Sequence, residues 1–406
     1  DLVCRLRRRW GRSVPLIGSG GIHEPEDALR LLDAGADLVQ ADTGLVYSGP
    51  GLFKRINDGL LFATCAGDAA AAAGGTSEEA APPAPRPAEM TWLWTALLGA
   101  GMLFGSLLAL VIAATRVVLP YDEQFVGMSR EQLAALNPRL LPFMAHDRIT
   151  LAGTMVATGV LYLALSLSGV RRGLHWARQS VFVSAFTGFG SFFLFLGYGY
   201  LDPFHAFVSA SLLQLLLLGA HSRLGTYRPD TPPLLREDRA WRLSQWGQLL
   251  LVLHHVALLA AGLVISWVGI THVLVREDLS FLGTTAEALR AANPRLVPLI
   301  AHDRATLGGM LLSSGLAFLL PTLWGFRRGA SWLWWAFLIG GLSAYAAAIG
   351  VHLVVGYTDG HHLLPAFGGL GLFLLGLGLS RPHLCGAAAA TGEAAGAPGP
   401  RPLTGE

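Results

Sequence analysis

The side chains best suited to chemistry lie in a motif that occurs twice. The two copies, 156 residues apart, are His146-Asp147-Arg148 and His302-Asp303-Arg304. An imidazole, a carboxylate and a guanidinium in succession can hold protons, a polar ligand or a metal ion. Ionisable groups within apolar membrane segments usually mark a functional site, so these triplets are the first candidates for one.

A second repeated motif has the form Gly-Tyr-x-Asp-x-x-His. Its polar members recur at an offset of 157 residues, as Tyr200, Asp202, His205 and as Tyr357, Asp359, His362. Both motifs are expected at one end of the apolar helices, so we expect each half of the chain to assemble its own polar cluster. The first cluster would contain His146, Asp147, Arg148, Tyr200, Asp202 and His205, and the second would contain His302, Asp303, Arg304, Tyr357, Asp359 and His362.

Three interpretations of these clusters stay open. In the first they are structural: Asp147 caps the following helix, Arg148 pairs with Asp202, and the remaining groups satisfy buried polar atoms. In the second they bind a quinone headgroup or protons, because histidine and tyrosine can donate to carbonyl oxygens. In the third they bind a metal ion through histidine and aspartate, although no tight ligand spacing assigns one.

Three further histidines lie in or near apolar segments, where axial haem ligation is chemically possible. His254, His255 and His352 correspond to Leu98, Gly99 and Leu196 one repeat earlier. These three histidines are therefore not part of the repeated sequence pattern.

Apolar helices must position these residues. The mean hydropathy is +0.49, with 52% hydrophobic and 14% charged residues, against a charged fraction of ~25% in soluble proteins. The net charge of +2 comes without a basic stripe, so no nucleic-acid partner is expected. Because a span needs ~20 apolar residues, we predict eight: 91–115, 149–169, 179–199, 204–220, 246–272, 305–324, 332–354 and 363–380.

The spans divide into two repeats of four. A gap-free correspondence runs from Asp122 and Asp278 to Trp176 and Trp332, which indicates a tandem duplication. Residues 91–220 form the first membrane repeat and 246–380 the second. An even number of spans per repeat makes the repeats parallel. Arginines are concentrated near residues 171 and 327 and in the 221–245 loop, so these turns are predicted to lie on the cytoplasmic side of the membrane. The polar clusters are then expected on the outer side.

Residues 1–62 have a different character. An apolar run, Val14-Pro15-Leu16-Ile17, leads into Gly18-Ser19-Gly20-Gly21, a helix follows Pro25, and a second short strand ends before Thr43-Gly44. This order predicts a βαβ unit. Glycine turns at helix N-termini are typical of phosphate sites, as in the last two loops of (β/α)₈ barrels.

The amino-acid sequence of this segment resembles the C-terminal end of the quinone-type dihydroorotate dehydrogenases. The resemblance rests on Ile17-Gly18-Ser19-Gly20-Gly21-Ile22, Ala34-Gly35-Ala36-Asp37-Leu38-Val39-Gln40 and Thr43-Gly44-Leu45-Val46-Tyr47. It implies the end of a TIM barrel whose loops hold the phosphate of FMN at Gly20, Gly21, Asp42, Thr43 and Gly44. The family usually has an aromatic residue in place of Asp42.

The resemblance implies FMN-dependent oxidation of dihydroorotate to orotate in pyrimidine synthesis, with a membrane quinone as acceptor. The family's catalytic base lies upstream of these residues, and a quarter of a barrel cannot close its sheet. We therefore expect either a longer natural chain or an inert barrel remnant on a membrane transporter, sensor or anchor.

The remaining segments are predicted to be unstructured. Residues 63–90 are rich in Ala, Gly and Pro and predict a linker, and residues 381–406 predict a disordered tail. The fold class is thus a mainly α, polytopic protein of the plasma membrane, preceded by a partial α/β barrel. The barrel part and the C-terminus are expected in the cytoplasm, and membrane lipid is the expected partner.

Overall fold

The computed structural model describes residues 2–49, 51–74, 90–194, 200, 203–225, 227 and 233–386. The described chain is mainly helical. Its N-terminal segment contains α1 (Leu2–Trp10), β1 (Ile17–Ser19), α2 (Pro25–Asp33), β2 (Leu38–Gln40), α3 (Thr43–Ser48) and α4 (Gly51–Gly74).

This segment folds around a small parallel sheet. Ile17 of β1 lies opposite Leu38 of β2. Helix α2 begins at a proline, and the carboxylate of Asp27 in its first turn accepts hydrogen bonds from the two backbone N–H groups that precede the helix. The apolar face of α2 packs on α4 around Ala28 and Leu52, both fully buried.

Helix α4 corrects one expectation. It continues to Gly74, whereas the composition predicted an unstructured linker from residue 63. The reason is the alanine run, because alanine has the highest helix propensity of all residues. Residues 75–89 and 387–406, the rest of the predicted linker and most of the predicted tail, lie outside the described residues.

The remainder of the chain is a bundle of long helices joined by short ones. These are α5 (Thr91–Thr115), α6 (Pro120–Val126), α7 (Arg130–Leu136), α8 (Leu140–Ser168), α9 (His175–Leu194), α10 (Pro203–His221), α11 (Arg239–Ile270), α12 (Arg276–Leu282), α13 (Ala286–Ala292), α14 (Leu296–Trp324), α15 (Ser331–Val355) and α16 (Gly360–Leu384).

Six helices in the described part of the chain are long and apolar enough to cross a bilayer: α5, α8, α11, α14, α15 and α16. Helices α9 and α10 lie where two further spans were predicted, and α10 offers the shorter apolar stretch His205–His221. The count of eight spans therefore stays a prediction. Large apolar side chains remain exposed on the outer helices, such as Phe104 on α5 and Trp267 on α11, as expected for surfaces that contact lipid.

Helices α8 and α14 form the centre of the bundle. They pack against each other, α8 also against α5 and α15, and α14 also against α11 and α9. Besides the other central helix, each central helix therefore contacts one more long helix from the opposite half of the chain. This exchange of neighbours decides where the polar side chains meet.

Candidate functional site

Both His-Asp-Arg motifs lie inside the central helices. Helices α8 and α14 begin at Leu140 and Leu296, about nine residues before the predicted spans. Pro142 and Pro298 fall in the first turns, where the missing N–H breaks no helical hydrogen bond. Asp147 thus lies in the third turn of α8, and the expectation that it caps a helix is wrong.

The charged side chains cross between the two halves. The Arg148 Nε donates to Asp303 Oδ2 over 2.8 Å, and the Arg304 Nε lies 3.4 Å from Asp147 Oδ2. Asp147, Asp303 and Arg304 are less than 9% exposed. Because α8 and α14 lie side by side, each arginine reaches the aspartate of the other motif, and these buried pairs join the two halves of the chain.

Two further aspartates complete the network. Arg148 Nη1 also donates to Asp122 Oδ2 over 2.7 Å, and Arg304 makes the equivalent bond to Asp278. The predicted site omitted both aspartates. Both positions hold aspartate and lie 156 residues apart, and this repetition in the sequence could have identified them. Asp202, the predicted partner of Arg148, lies outside the described residues.

Backbone geometry around the network is strained in the same way in both halves. Val117 and Val273 have φ of +66° and +65°, a region that β-branched residues rarely occupy. Their carbonyl oxygens accept hydrogen bonds from Arg148 Nη1 and Arg304 Nη1 over 2.6 and 2.8 Å. The guanidinium groups therefore hold the strained turns that lead into α6 and α12.

The repeated tyrosines close the network. Tyr200 donates its hydroxyl to Asp122, and Tyr357 donates to Asp278 over 2.8 Å. Burial, reinforced by these carboxylates, raises the pKa of both tyrosines well above the ordinary value. Both hydroxyls therefore stay protonated and act as hydrogen-bond donors.

The histidines are also exchanged between halves. The ring of His146 lies 5.4 Å from that of Tyr357 and 5.6 Å from that of His362, while the ring of His302 lies 4.8 Å from that of Tyr200. The prediction that each half gathers its own histidine is thus wrong, because α8 packs on α15 and α14 on α9.

The other predicted residues of these clusters have separate roles. His205 lies 6.2 Å from Tyr121, ring to ring. Asp359 caps α16 by accepting a hydrogen bond from the backbone of His362 over 3.0 Å. It is therefore a structural residue.

The histidines considered for haem also have defined places. His254 Nε2 lies 2.6 Å from the Tyr345 hydroxyl, and His255 Nδ1 lies 3.2 Å from the Thr322 hydroxyl. Both imidazoles thus have protein partners inside the bundle. His352 instead joins His146 and His362.

A cavity of about 280 Å³ opens beside the first half of the network. Apolar side chains of α5, α8 and α10 line its length, including Met102, Leu108 and Met155. One end is polar and is lined by Tyr121, Asp122, Arg148, Tyr200, His205, His302, Asp303 and Thr306. An apolar channel with convergent polar groups at one end suits a lipid-soluble ligand with a polar head.

The predicted phosphate residues lie on two adjoining loops. Gly20 and Gly21, after β1, have φ of +88° and +70°. Gly44 is the second residue of the short helix α3 and packs so closely that a Cβ would lie 1.8 Å from the Ile22 carbonyl oxygen. Thr43 is exposed next to it, and the Asp42 carboxylate lies 3.4 Å from the Gln40 amide.

The N-terminal segment contacts the opposite end of the bundle from the polar clusters. Asp58 of α4 pairs with Arg327 over 2.8 Å, and Arg55 pairs with Glu237 over 3.1 Å. Helix α14 separates Arg304 from its own C-terminal end by roughly 30 Å, at 1.5 Å per residue. The glycine loops and the His-Asp-Arg network are therefore separate sites.

Comparison with known proteins agrees with the character of residues 1–62. The sequence profile of the dihydroorotate dehydrogenase family matches residues 1–62. The dihydroorotate dehydrogenase (quinone) of Chloroflexus aurantiacus is 55% identical over 60 residues, which is 15% of this chain and 16% of that protein. The enzyme of the same name from Chelativorans sp. is 51% identical over 55 residues, 14% of this chain and 15% of that protein.

The chain thus spans about one sixth of the length of the curated relatives that it matches. No solved structure matches it. The N-terminal 60 residues resemble the quinone-type dihydroorotate dehydrogenases.

Proposed function

We propose that this chain is the C-terminal part of a membrane-bound dihydroorotate dehydrogenase, fused to an eight-span membrane domain. The single observation that carries the proposal is the match of residues 1–62, which includes both glycine loops of the βα fold. The reaction would be oxidation of dihydroorotate to orotate, with a membrane quinone as the electron acceptor. An acceptor that dissolves in lipid makes fusion to a membrane domain physically reasonable.

The loop residues suit an FMN phosphate. The left-handed backbone at Gly20 and Gly21 and the first-turn N–H groups at Thr43 and Gly44 are features typical of backbone turns that bind anions. Asp42 would repel a phosphate unless its carboxylate stays directed toward Gln40, which it contacts here. When bound, FMN supplies the hydride acceptor for dihydroorotate, while this chain's residues hold its phosphate.

The membrane domain would act as the anchor of the barrel. In the proposed topology the protein is a multi-pass plasma-membrane protein with the barrel and the C-terminus in the cytoplasm. The pairs Asp58–Arg327 and Arg55–Glu237, together with that of Glu26 with Arg236, hold the segment against the arginine-bearing end of the bundle. This end is the cytoplasmic side by the positive-inside rule.

The decisive experiment is intact mass measurement on the polypeptide purified from its native membrane, with a visible spectrum of the same sample. A mass well above 43.1 kDa together with bound flavin is the expected result. A mass near 43.1 kDa without flavin would leave residues 1–62 as a remnant and contradict the proposed enzyme.

The cavity between α5, α8 and α10 favours a second candidate function, a non-enzymatic membrane protein that binds a quinone or a similar lipid. Because the cavity lies near the end remote from residues 1–62, a ligand there would not need the barrel. A short-chain ubiquinone analogue should quench tryptophan fluorescence in the purified chain. Ala109→Trp would fill the cavity and block saturable binding, whereas Ala100→Trp, at an exposed position on the same helix, would not.

A further inference from the structure

Three histidines from three different helices converge beside the second half of the network. They are His146 of α8, His352 of α15 and His362 of α16, and each offers a ring nitrogen within 4.8 Å of the nitrogens offered by the other two. The ring centroids of His146 and His352 are 4.4 Å apart, and those of His352 and His362 are 5.0 Å apart.

His352 presents a buried lone pair toward this cluster. Its Nδ1 lies 2.5 Å from the Ala348 carbonyl oxygen, which fixes the proton on Nδ1. Its Nε2 is thereby left unprotonated and, among the described residues, has no hydrogen-bond partner although His352 is only 6% exposed. A buried polar atom without a partner is uncommon and needs an explanation.

His146 is oriented by a carboxylate. Its Nδ1 lies 3.1 Å from Asp147 Oδ1, off the angle of a good hydrogen bond but close enough to favour a proton on that nitrogen. The second nitrogen then carries the lone pair. Metal-ligating histidines usually donate their other N–H to a carboxylate or a backbone carbonyl. His352 has the carbonyl arrangement, and His146 has a carboxylate at 3.1 Å from the corresponding nitrogen.

We propose that His146, His352 and His362 bind one divalent transition-metal ion of the kind that prefers imidazole nitrogen, zinc or copper. Tetrahedral zinc with nitrogen ligands at 2.0–2.1 Å requires the nitrogens to be roughly 3.3 Å apart. The ring nitrogens now lie within 4.8 Å of one another, so binding requires the side chains to draw closer together. Three protein ligands leave one coordination position open, and the partly exposed His362 gives access from water.

The charge of the surrounding network favours a cation. Among the described residues, the four buried carboxylates of the network face only two guanidinium groups. The carboxylates are those of Asp122, Asp147, Asp278 and Asp303, and the guanidinium groups those of Arg148 and Arg304. A divalent ion held by three neutral imidazoles would balance the excess of two negative charges.

The first half of the chain cannot form the same site. His302 and His205 correspond to His146 and His362, but His352 corresponds to Leu196 at the offset of 156 residues and to Phe195 at the offset of 157, and neither side chain can bind a metal ion. The site is thus expected once per chain. The apolar counterpart also suggests a substitution, His352→Leu, that removes the proposed ligand and leaves an apolar side chain.

The test uses the full chain, purified in detergent with an affinity tag that contains no histidine and stripped with a chelator. Zinc and, separately, copper are added as the only metal, the sample is desalted, and bound metal is measured by mass spectrometry. We expect about one ion per chain in the unsubstituted protein, loss of that ion in His352→Leu and in His362→Gln, and its retention in the matched control His205→Leu.

Monodisperse gel filtration of each variant is required before its metal content is compared. If the unsubstituted chain binds neither metal, the proposal is overturned without any variant. It is equally overturned if folded His352→Leu or His362→Gln keeps the ion, or if His205→Leu loses as much as they do.

Discussion

At the scale of single residues, buried ion pairs between arginines and aspartates connect the two halves of the molecule. Arg148 and Arg304 each bridge an aspartate of their own half and one of the other. Breaking such a buried pair by removing one partner is strongly destabilising, because the remaining charge stays in a low dielectric. The network therefore gives the arginines and aspartates of the central helices a structural role, whereas His146 is assigned to the proposed metal site.

The two exchanged aspartates give a matched test of that distinction. Asp147→Asn and Asp303→Asn each remove one carboxylate from an arginine pair, so both should lower the melting temperature. Only Asp147 adjoins a proposed ligand, His146. Both variants remove one negative charge near the site, but only Asp147→Asn also removes the carboxylate beside a ligand. Zinc affinity should therefore fall by roughly 10–100-fold in Asp147→Asn and by clearly less in Asp303→Asn, as measured by competition with a chromophoric chelator. Equal losses in the two variants would assign Asp147 a purely structural role.

A residue-scale prediction concerns Lys54, the only lysine in the chain. Burial between α4 and the loops of the membrane domain lowers its pKa from 10.5 to about 8, partly opposed by Asp58. Between these two pH values the unfolded chain binds more protons than the folded one, so the contribution of this lysine makes the free energy of unfolding rise with pH. Below about pH 8 the lysine is protonated in both states, and its burial lowers the free energy of unfolding by a constant amount.

Acylation of Lys54 by an amine reagent, followed across pH by peptide mass spectrometry, should show a midpoint near 8 in the folded protein. Asp58→Asn removes a carboxylate that favours the ammonium form and should lower the midpoint. Arg327→Gln removes a positive charge and should raise it. A midpoint near 10.5 would mean that the N-terminal segment does not bury Lys54 against the bundle.

At the scale of helices, the apolar runs and the duplicated motifs predicted where the long helices lie, but not which of them are neighbours. Pro142 and Pro298 were compatible with earlier helix starts, yet the apolar pattern alone placed the starts after Asp147 and Asp303. A repeat also looks the same whether His146 faces its own half or the other. That choice depends on how α8 packs against α15, and no local pattern encodes it.

Helix packing yields a further prediction at Gly308. A Cβ at this position of α14 would lie 2.4 Å from the Ser266 backbone nitrogen of α11, so the two helices touch through their backbones. Gly308→Ala should separate them and destabilise the protein by roughly 1–3 kcal/mol, seen as a lower melting temperature.

Gly378→Ala provides the control on α16, where nothing lies within 4 Å of the added methyl group. It should be neutral or stabilise by up to about 1 kcal/mol, because alanine favours helix more than glycine does. If Gly308→Ala were as harmless as this control, the close contact of α11 and α14 would be absent in the membrane.

At the scale of the whole molecule, the chain has two chemically different ends. The glycine loops of residues 1–62 lie with the arginine-bearing turns, and the ion-pair network with its histidines lies at the other end of the helices. Electrons from a flavin would therefore leave at one face, while the proposed metal ion would be bound at the other. The two proposals can consequently fail or hold independently.

This polarity predicts the labelling pattern of the protein in intact cells. In a background lacking Cys4, Cys65 and Cys385, cysteine at exposed Ala135 or Ala291 should react with a membrane-impermeant maleimide, because both positions lie at the end that the proposed topology puts outside. Cysteine at exposed Ser331, beside the Arg327 turn, should react only after permeabilisation. The reverse pattern would mean that the topology is inverted, with the proposed metal-binding histidines on the cytoplasmic side. Residues 1–62 would then lie outside the cell, away from a pyrimidine substrate dissolved in the cytoplasm.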